Sequence, residues 1–295
     1  KPSAVTLGTF DGVHVGHAEI LNRVVEHAHG HNFNAVAVTF HRPPASVLGK
    51  DTSPSLLTTK REKLTLLQQA GIDITCVLEF TESIAEMHAE DFIRDYLVSC
   101  LGMKHFVVGY DHGFGRDRAG TAGELNQYAN RFDFTLDVVE PVIRKGREVK
   151  SSTIRSFLRE GDVSSVSVLL GRDYSVSGTV VHGTALGRTI GFPTANIVPD
   201  DPDKILPAAG VYSGWVEIDD GRKRAVISLG PRPTMGISEE ALEVHIPDFE
   251  KDIYGSVLKT GFIQRLRDIK KFDSQKELIE QIHRDIEAVP FHIVS

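Results

Sequence analysis

Two stretches of this chain concentrate residue types that can handle phosphate. The first is Gly8-Thr9-Phe10-Asp11-Gly12-Val13-His14-Val15-Gly16-His17. His14 and His17 are three apart, so on the first turn of a helix both imidazoles project from one side. The glycines permit close backbone approach, and a helix N-terminus adds free N–H groups and a partial positive charge. Imidazoles placed there can donate hydrogen bonds to phosphate oxygens as charge develops on them. A histidine pair at this spacing is more often surface decoration, and a glycine turn alone says little. The joint pattern of strand, glycine turn, two histidines around a glycine, and amphipathic helix points to a nucleotide site.

The second stretch runs Gly183-Thr184-Ala185-Leu186-Gly187-Arg188-Thr189-Ile190-Gly191-Phe192-Pro193-Thr194-Ala195-Asn196. Glycines and one cation precede Thr194 and Asn196, whose side chains share a face if the backbone is extended. A hydroxyl and an amide oxygen on one face can hold a hard, oxygen-preferring ion such as Mg²⁺ against a phosphate. The Walker A pattern is absent. Taken alone, the stretch reads as a barrel turn followed by a strand-end Asn. Farther on, Leu242 and Val244 alternate with Glu243 and His245, which keeps Glu243 off the apolar face of a strand.

The elements that must position these residues differ between the two halves. Ala4–Leu7 is a short strand ended by Gly8, and Ile20, Leu21, Val24 and Ala28 make a helical stripe ending near Gly30. Asn34–Phe40, Ile74–Leu78, Phe106–Gly109 and the alternating Phe134, Leu136 and Val138 read as further strands. A capping box, Thr59-Lys60-Arg61-Glu62, opens a helix that stops at Gly71. Phe92, Ile93, Tyr96 and Leu97 mark another helix before Gly102. Strand–helix alternation implies α/β architecture, a mainly parallel Rossmann-like sheet with helices on both faces. Past about Leu170 the texture changes. Tyr174–Val181, Val211–Ile218, Arg224–Leu229, Leu242–Ile246 and Val257–Phe262 are strand-like runs parted by turns, with no helix between them. They predict an antiparallel β-barrel. A terminal helix follows, capped by Ser274-Gln275-Lys276-Glu277, with Leu278, Ile282 and Ile286 on one face. The expected domains are 1–170 and 171–295.

Composition narrows the class. The chain has 295 residues, 33 Lys+Arg against 40 Asp+Glu, and a net charge of −7. No basic footprint for nucleic acid accompanies that balance. No apolar run approaches the roughly 18 residues that cross a bilayer. Lys1-Pro2-Ser3 leads straight into a strand pattern without a signal-peptide core, and a start at Lys rather than Met suggests a lost short leader. Cys76 and Cys100 alone supply neither a disulfide framework nor a cysteine zinc site. A cytoplasmic protein is expected; nothing marks an oligomer interface.

The first stretch resembles the H-x-G-H signature of the nucleotidyltransferase superfamily. Val108-Gly109-Tyr110-Asp111-His112-Gly113-Phe114-Gly115 resembles the G-x-D-x-x-F-G block of the bacterial bifunctional riboflavin kinase/FAD synthetase family. Lys150-Ser151-Ser152-Thr153-Ile154-Arg155 is similar to that family's S-S-T-x-x-R phosphate-binding stretch. Aligned on Arg155, Lys150 stands where the family more often has Ser; a one-residue shift restores the serines and displaces the arginine, so two registers stay open. After the second strand the family often has Asp-Pro-His-Pro, where this chain reads His41-Arg42-Pro43-Pro44. The G-R-x-I-G-F-P-T-A-N run of the second stretch closely matches the family's flavokinase half. Further matches are Pro207 with Gly210-Val211-Tyr212, Gly230-Pro231-Arg232-Pro233-Thr234, Leu242–His245 with Asp248-Phe249, and Tyr254-Gly255. Arg265-Leu266-Arg267 and Lys271-Phe272-Asp273-Ser274 complete the series. Ser228 and Met235 replace the commoner Asn and Phe, a change expected to adjust packing more than chemistry.

The resemblance implies two reactions. The C-terminal domain would move the γ-phosphate of ATP to the ribityl 5′-hydroxyl of riboflavin, giving FMN. The N-terminal domain would move AMP from a second ATP to FMN, giving FAD and pyrophosphate. Under that resemblance Glu243 is the kinase base, and His14 and His17 serve the adenylyl transfer. Gly8, Phe10, Asp11, Gly16, Ser151, Ser152, Thr153, Arg155, Gly183, Gly187 and Arg188 would hold ATP or phosphate. Asp11 reads chiefly as a loop-shaping acceptor of backbone N–H groups. Thr194 and Asn196 would hold Mg²⁺. Asp111, Tyr254 and Arg267 are the flavin-binding candidates, with a nucleotide hydroxyl or the metal also open for Asp111. Riboflavin, FMN and ATP are the expected partners. The rival reading is a single-activity FMN adenylyltransferase whose second domain binds flavin without catalysis.

Overall fold

The computed structural model describes residues 1–42, 55–111, 113, 122–183, 186–218, 221–232 and 237–289. Of the motif residues quoted above, Pro43, Pro44, His112, Phe114, Gly115, Thr184, Ala185, Pro233, Thr234 and Met235 lie outside them. Two compact units divide after Ser151: Lys1–Ser151 and Ser152–Ser295.

In the first unit, β1 (Ser3–Leu7) leads to α1 (Val15–Gly30), β2 (Asn34–Phe40), α2 (Lys60–Gln69) and β3 (Ile74–Leu78). A short α3 (Glu82–Ala85) follows, and α4 (Ala89–Phe92) continues as a π-helical stretch over Ile93–Cys100. Then come β4 (Met103–Gly109), α5 (Ala122–Phe132), β5 (Thr135–Val139) and a small antiparallel pair, β6 (Ile143–Arg144) with β7 (Arg147–Glu148). The sheet is parallel, in the order β3-β2-β1-β4-β5. Central β1 is buried along its whole length, because alternate residues feed two cores. Val5 and Leu7 pack with Phe92, Ile93, Leu97 and Leu125 on one face. Ala4 packs with Leu21, Val24, Ala28 and Leu67 on the other. The capping box forms at α2: Glu62 N–H donates to Thr59 Oγ1 at 3.2 Å, and Thr59 N–H donates to Glu62 Oε2 at 2.9 Å.

The second unit opens within α6 (Ser151–Glu160), and α7 (Val163–Leu170) follows. The sequence boundary at 170 and 171 leaves both helices with the sheet domain, whereas the compact units leave all but Ser151 of them with the strands that follow. The cause is the apolar side of α7: Val163, Val166, Leu169 and Leu170 are buried, and Ser164 Oγ donates to the Ile263 carbonyl at 3.2 Å. The strands are β8 (Tyr174–Val181), β9 (Thr194–Pro199), β10 (Gly210–Ile218), β11 (Gly221–Arg232), β12 (Ile237–His245) and β13 (Val257–Arg267). They close into an antiparallel barrel in the order β10-β11-β12-β9-β8-β13. Period-two burial puts Tyr174, Val176, Val180, Ala195, Ile197, Tyr212, Val244 and Phe262 inside. One helix interrupts the run of strands, against the sequence expectation: α8 (Leu186–Thr189), within the glycine-rich stretch. The terminal α9 (Gln275–Glu287), capped by Ser274, lays Ile286 against Val211 and Val226 on the outside of the barrel, with Val289 just beyond it.

Candidate active sites

In the first unit the strand order reverses between β1 and β4, and ligands of such sheets bind in the crevice beyond the carboxyl ends there. The Gly8–His17 loop leaves β1 at that crevice, and Tyr110-Asp111 leaves β4 beside it. The loop is held in an unusual shape, since Phe10 and Val13 have φ of +47° and +38°. Such conformations cost about 1–3 kcal/mol each and persist only where the surroundings impose them. The surroundings are visible. Asp11, only 4% exposed, accepts the Leu57 amide on both oxygens, at 3.0 and 3.1 Å, and the Thr58 amide at 3.0 Å. Thr58 Oγ1 in turn accepts the Gly12 amide at 3.0 Å. Asp11 therefore occupies the loop-shaping role.

Sequence reasoning missed Lys63, a buried cation on α2 that donates to the carbonyls of Thr9 (3.1 Å) and Phe40 (2.7 Å) at the ends of β1 and β2. Burial pushes its ammonium below the usual lysine range, while Asp11 pulls the other way. The only sequence hint was its place on the buried side of the capped helix.

His14 is the N-cap of α1 and is nearly fully buried. Its Nδ1 accepts the His17 amide at 3.2 Å, which leaves the ring proton of the neutral imidazole on Nε2 as a donor. The two imidazoles stack with centroids 3.6 Å apart, and the Phe10 ring meets His17 edge-on at 5.2 Å. Gly8 lets the Phe10 ring lie close, where a Cβ would stand 3.1 Å from it, and Gly16 sits against the His14 ring in the same way at 3.2 Å. Ser151 Oγ donates to the Asp11 carbonyl at 2.9 Å. Ser152 and Thr153 continue the first turn of α6, and Arg155 lies half-buried one residue beyond Ile154. Asp111 is exposed, 3.7 Å from Lys150 Nζ.

In the second unit Thr194, Asn196, Glu243 and His245 come together on the outer face of the barrel. Asn196 pairs with Glu243 and Thr194 with His245 across β9 and β12. Directly opposed residues of antiparallel strands point to one face with Cβ atoms about 5 Å apart. Val181 and Ser228 extend the Asn196–Glu243 row onto β8 and β11, so Ser228 stands beside the carboxylate. Gly183 is required where it is, because a Cβ there would fall 2.1 Å from Asn196 Nδ2 and 2.8 Å from Oδ1. A Cβ on Gly187 would meet the Phe192 carbonyl at 2.2 Å.

His245, not singled out in the sequence as a site residue, donates from Nδ1 to the Pro193 carbonyl at 2.8 Å. Burial holds its pKa below the usual histidine value against the pull of that hydrogen bond and of Asp248. The Phe192 ring bridges His245, at 5.6 Å, and His283 of α9, at 5.1 Å.

Arg188, Thr194 and Tyr254 line one pocket with Val180, Ala195 and Val244. Tyr254 lies over His182 with centroids 3.8 Å apart. Arg267 is engaged elsewhere: its guanidinium holds Asp285 of α9 through contacts of 2.7 to 3.1 Å. The donor set fits a magnesium ion. Thr194 and Asn196 offer neutral oxygens on one face, Glu243 adjoins them, and glycine at 183 spares the amide a collision with a Cβ. Among the described residues no group of three His, Cys, Asp or Glu side chains is placed to cage a metal. Magnesium does not need one, since it keeps waters and substrate phosphates as ligands.

Comparison with known proteins matches each half of the chain to a family model. The FAD synthetase family model matches residues 1–153 and the riboflavin kinase model residues 170–291. Proteins named bifunctional riboflavin kinase/FMN adenylyltransferase from Bacillus subtilis and Haemophilus influenzae are each 34% identical, over 96% and 97% of this chain and 90% and 92% of their own lengths. The Escherichia coli protein of that name is 34% identical over 95% of this chain and 90% of its own. A crystal structure described as a macrolide-efflux protein from Streptococcus pneumoniae superposes with a TM-score of 0.91 at 34% identity, covering 99% of this chain and 95% of that one. No helix among the described residues is long and apolar enough to cross a membrane. Matches to both modules do not favour the reading with a non-catalytic second domain. With a nucleotidyltransferase-type crevice in one unit, a carboxylate beside an amide on the barrel of the other, and relatives matching almost end to end, the chain belongs to the bifunctional riboflavin kinase/FMN adenylyltransferase family.

Proposed function

We propose that riboflavin is phosphorylated on the outer face of the barrel and that the FMN so formed is adenylylated in the β1–β4 crevice. One observation carries the first half: the register that sets Glu243 directly opposite Asn196. The ribityl 5′-hydroxyl is almost wholly protonated at neutral pH, so a positioned base contributes, typically about 10²–10⁴-fold. Glu243 accepts that proton as the alcohol oxygen attacks the γ-phosphorus of ATP, and ADP leaves. Thr194 and Asn196 would hold Mg²⁺, which when bound would offset charge on the transferring phosphoryl group. Arg188 and Tyr254 line the pocket beside them and serve the phosphates and the flavin.

In the crevice the nucleophile is already an anion, the phosphate of FMN, and no base is needed. It attacks the α-phosphorus of ATP and pyrophosphate departs. His14 and His17 supply donors to the charge that develops, and Gly8, Phe10 and Gly16 keep the two rings in place. Ser151, whose hydroxyl donates to the Asp11 carbonyl, offers its backbone N–H at the edge of the β1–α1 loop. Asp111, in the loop after β4, would serve the flavin nucleotide. The unpaired Cys76 and Cys100 thiols suit a reducing cytoplasm.

Incubation with riboflavin, ATP and Mg²⁺, followed by chromatography, tests the reading. Formation of FMN and then FAD is expected; FMN alone or no product would refute it.

A further inference from the structure

Lys150 lies where the crevice opens and stands outside the roles given above. Its chain neighbours on both sides meet the β1–α1 loop. The Val149 carbonyl is 3.6 Å from where a Cβ on Gly16 would stand, and the Ser151 hydroxyl donates to the Asp11 carbonyl at 2.9 Å. Its ammonium reaches toward β4 instead. Nζ is 3.7 Å from Asp111 Oδ2, in the loop after β4, and 2.9 Å from Glu148 Oε2. The Tyr110 hydroxyl donates to Glu148, and the Tyr110 ring centroid is 5.7 Å from the ammonium. Lys150 thus connects the two loops that flank the point where the strand order reverses.

The pairs that hold this cation are weak ones. Lys150, Asp111 and Glu148 side chains are 42%, 57% and 30% exposed, and ion pairs in such settings contribute little. A phosphate group brings up to two charges and three acceptor oxygens, so it competes well against either carboxylate. The hydrogen bond that the ammonium donates to Glu148 raises its pKa, which keeps it charged throughout the neutral range.

We propose that Lys150 is a phosphate-binding residue of the adenylyl-transfer site, its ammonium leaving Asp111 and Glu148 to pair with a phosphate of the incoming nucleotide. This rests on the β1–β4 crevice being that site. The phosphate belongs to FMN or to ATP, and the two are separable by experiment. FAD formation by Lys150→Met and Lys150→Gln is measured with each substrate varied in turn, at low and high salt, with His17→Ala alongside. Circular dichroism and the unfolding midpoint of the same preparations report folding. The expected result is a KM raised about tenfold for one substrate in both variants, with kcat changed less and the salt dependence of that KM flattened. A rise confined to FMN places the ammonium on the FMN phosphate; a rise confined to ATP places it on the triphosphate. If both KM values stay within twofold while His17→Ala abolishes FAD formation, the role of Lys150 is overturned and the crevice stands. If His17→Ala also leaves FAD formation intact, the crevice reading itself falls, and the role of Lys150 with it.

Discussion

Asn196 and Glu243 stand opposite one another on adjacent antiparallel strands, in a row that continues to Val181 on one side and Ser228 on the other. A neutral amide oxygen suited to a cation and a carboxylate suited to a proton therefore sit about 5 Å apart at their Cβ atoms, on a rigid ladder. That spacing lets one ligand be held by the first and deprotonated by the second.

Glu243→Gln keeps the shape of the row and removes the basic oxygen. FMN formation should fall by about 10²–10⁴-fold, while FAD formation from supplied FMN is unchanged. Substantial kinase turnover in this variant would take Glu243 out of the base role.

Gly183→Ala tests the same row from beneath. Its methyl would land 2.1 to 2.8 Å from the atoms of the Asn196 amide, so that side chain must move. Kinase activity should drop at least about tenfold, as misplaced positioning groups commonly cost more than that, with little change in the unfolding midpoint. An unaltered kcat/KM for kinase turnover would show that the amide is not a ligand in its present position.

In the crevice, His17→Ala should lower FAD formation at least about tenfold, since lost transition-state donors usually cost that much, with FMN formation intact. Equal loss of both activities in one steady-state assay would show that the two units are not chemically separable.

The Arg267–Asp285 pair ties β13 to α9 with a carboxylate only 5% exposed. Removing one partner of a buried pair strands the other charge, so Arg267→Ala should destabilise the barrel unit by about 3 kcal/mol. Denaturant titration reads this directly. A variant of native stability with weakened riboflavin binding would return Arg267 to a flavin-binding role.

His105 stacks on His27 at 3.5 Å, with His31 and Asp137 nearby, and its pKa is pushed down to about 4 by burial first and then by His27. The unfolded imidazole titrates near 6.5, so between about pH 6.5 and 4 the unfolded chain binds a proton that the folded one refuses. Stability should therefore be lost as pH falls through that window, by on the order of 3 kcal/mol in all. Thermal melts of His105→Phe, which keeps a ring on His27, should show a flatter pH dependence; an unchanged slope would place the titration elsewhere.

Much of this protein was legible along the chain because its signals are local. Asn34–Phe40, Ile74–Leu78 and Tyr174–Val181 form strands with the bounds their periodicity predicts, and Thr59 and Glu62 close their box within one turn. His14 and His17 are neighbours on one helix, so their partnership needed no fold. The short helix α8 escaped notice because four residues carry too little periodicity to register. Other relationships depend on chain segments that meet only when sheets close. The register that sets Asn196 against Glu243, the Asp11 carboxylate on the Leu57 and Thr58 amides, and Lys63 under the loop are all of this kind. Arg267 shows the limit most clearly: the motif offers a cation, and only the fold brings the buried Asp285 carboxylate against it. Residue type and spacing specify which chemistry a chain can offer, but which charged group stays available is settled by what the folded backbone brings against it.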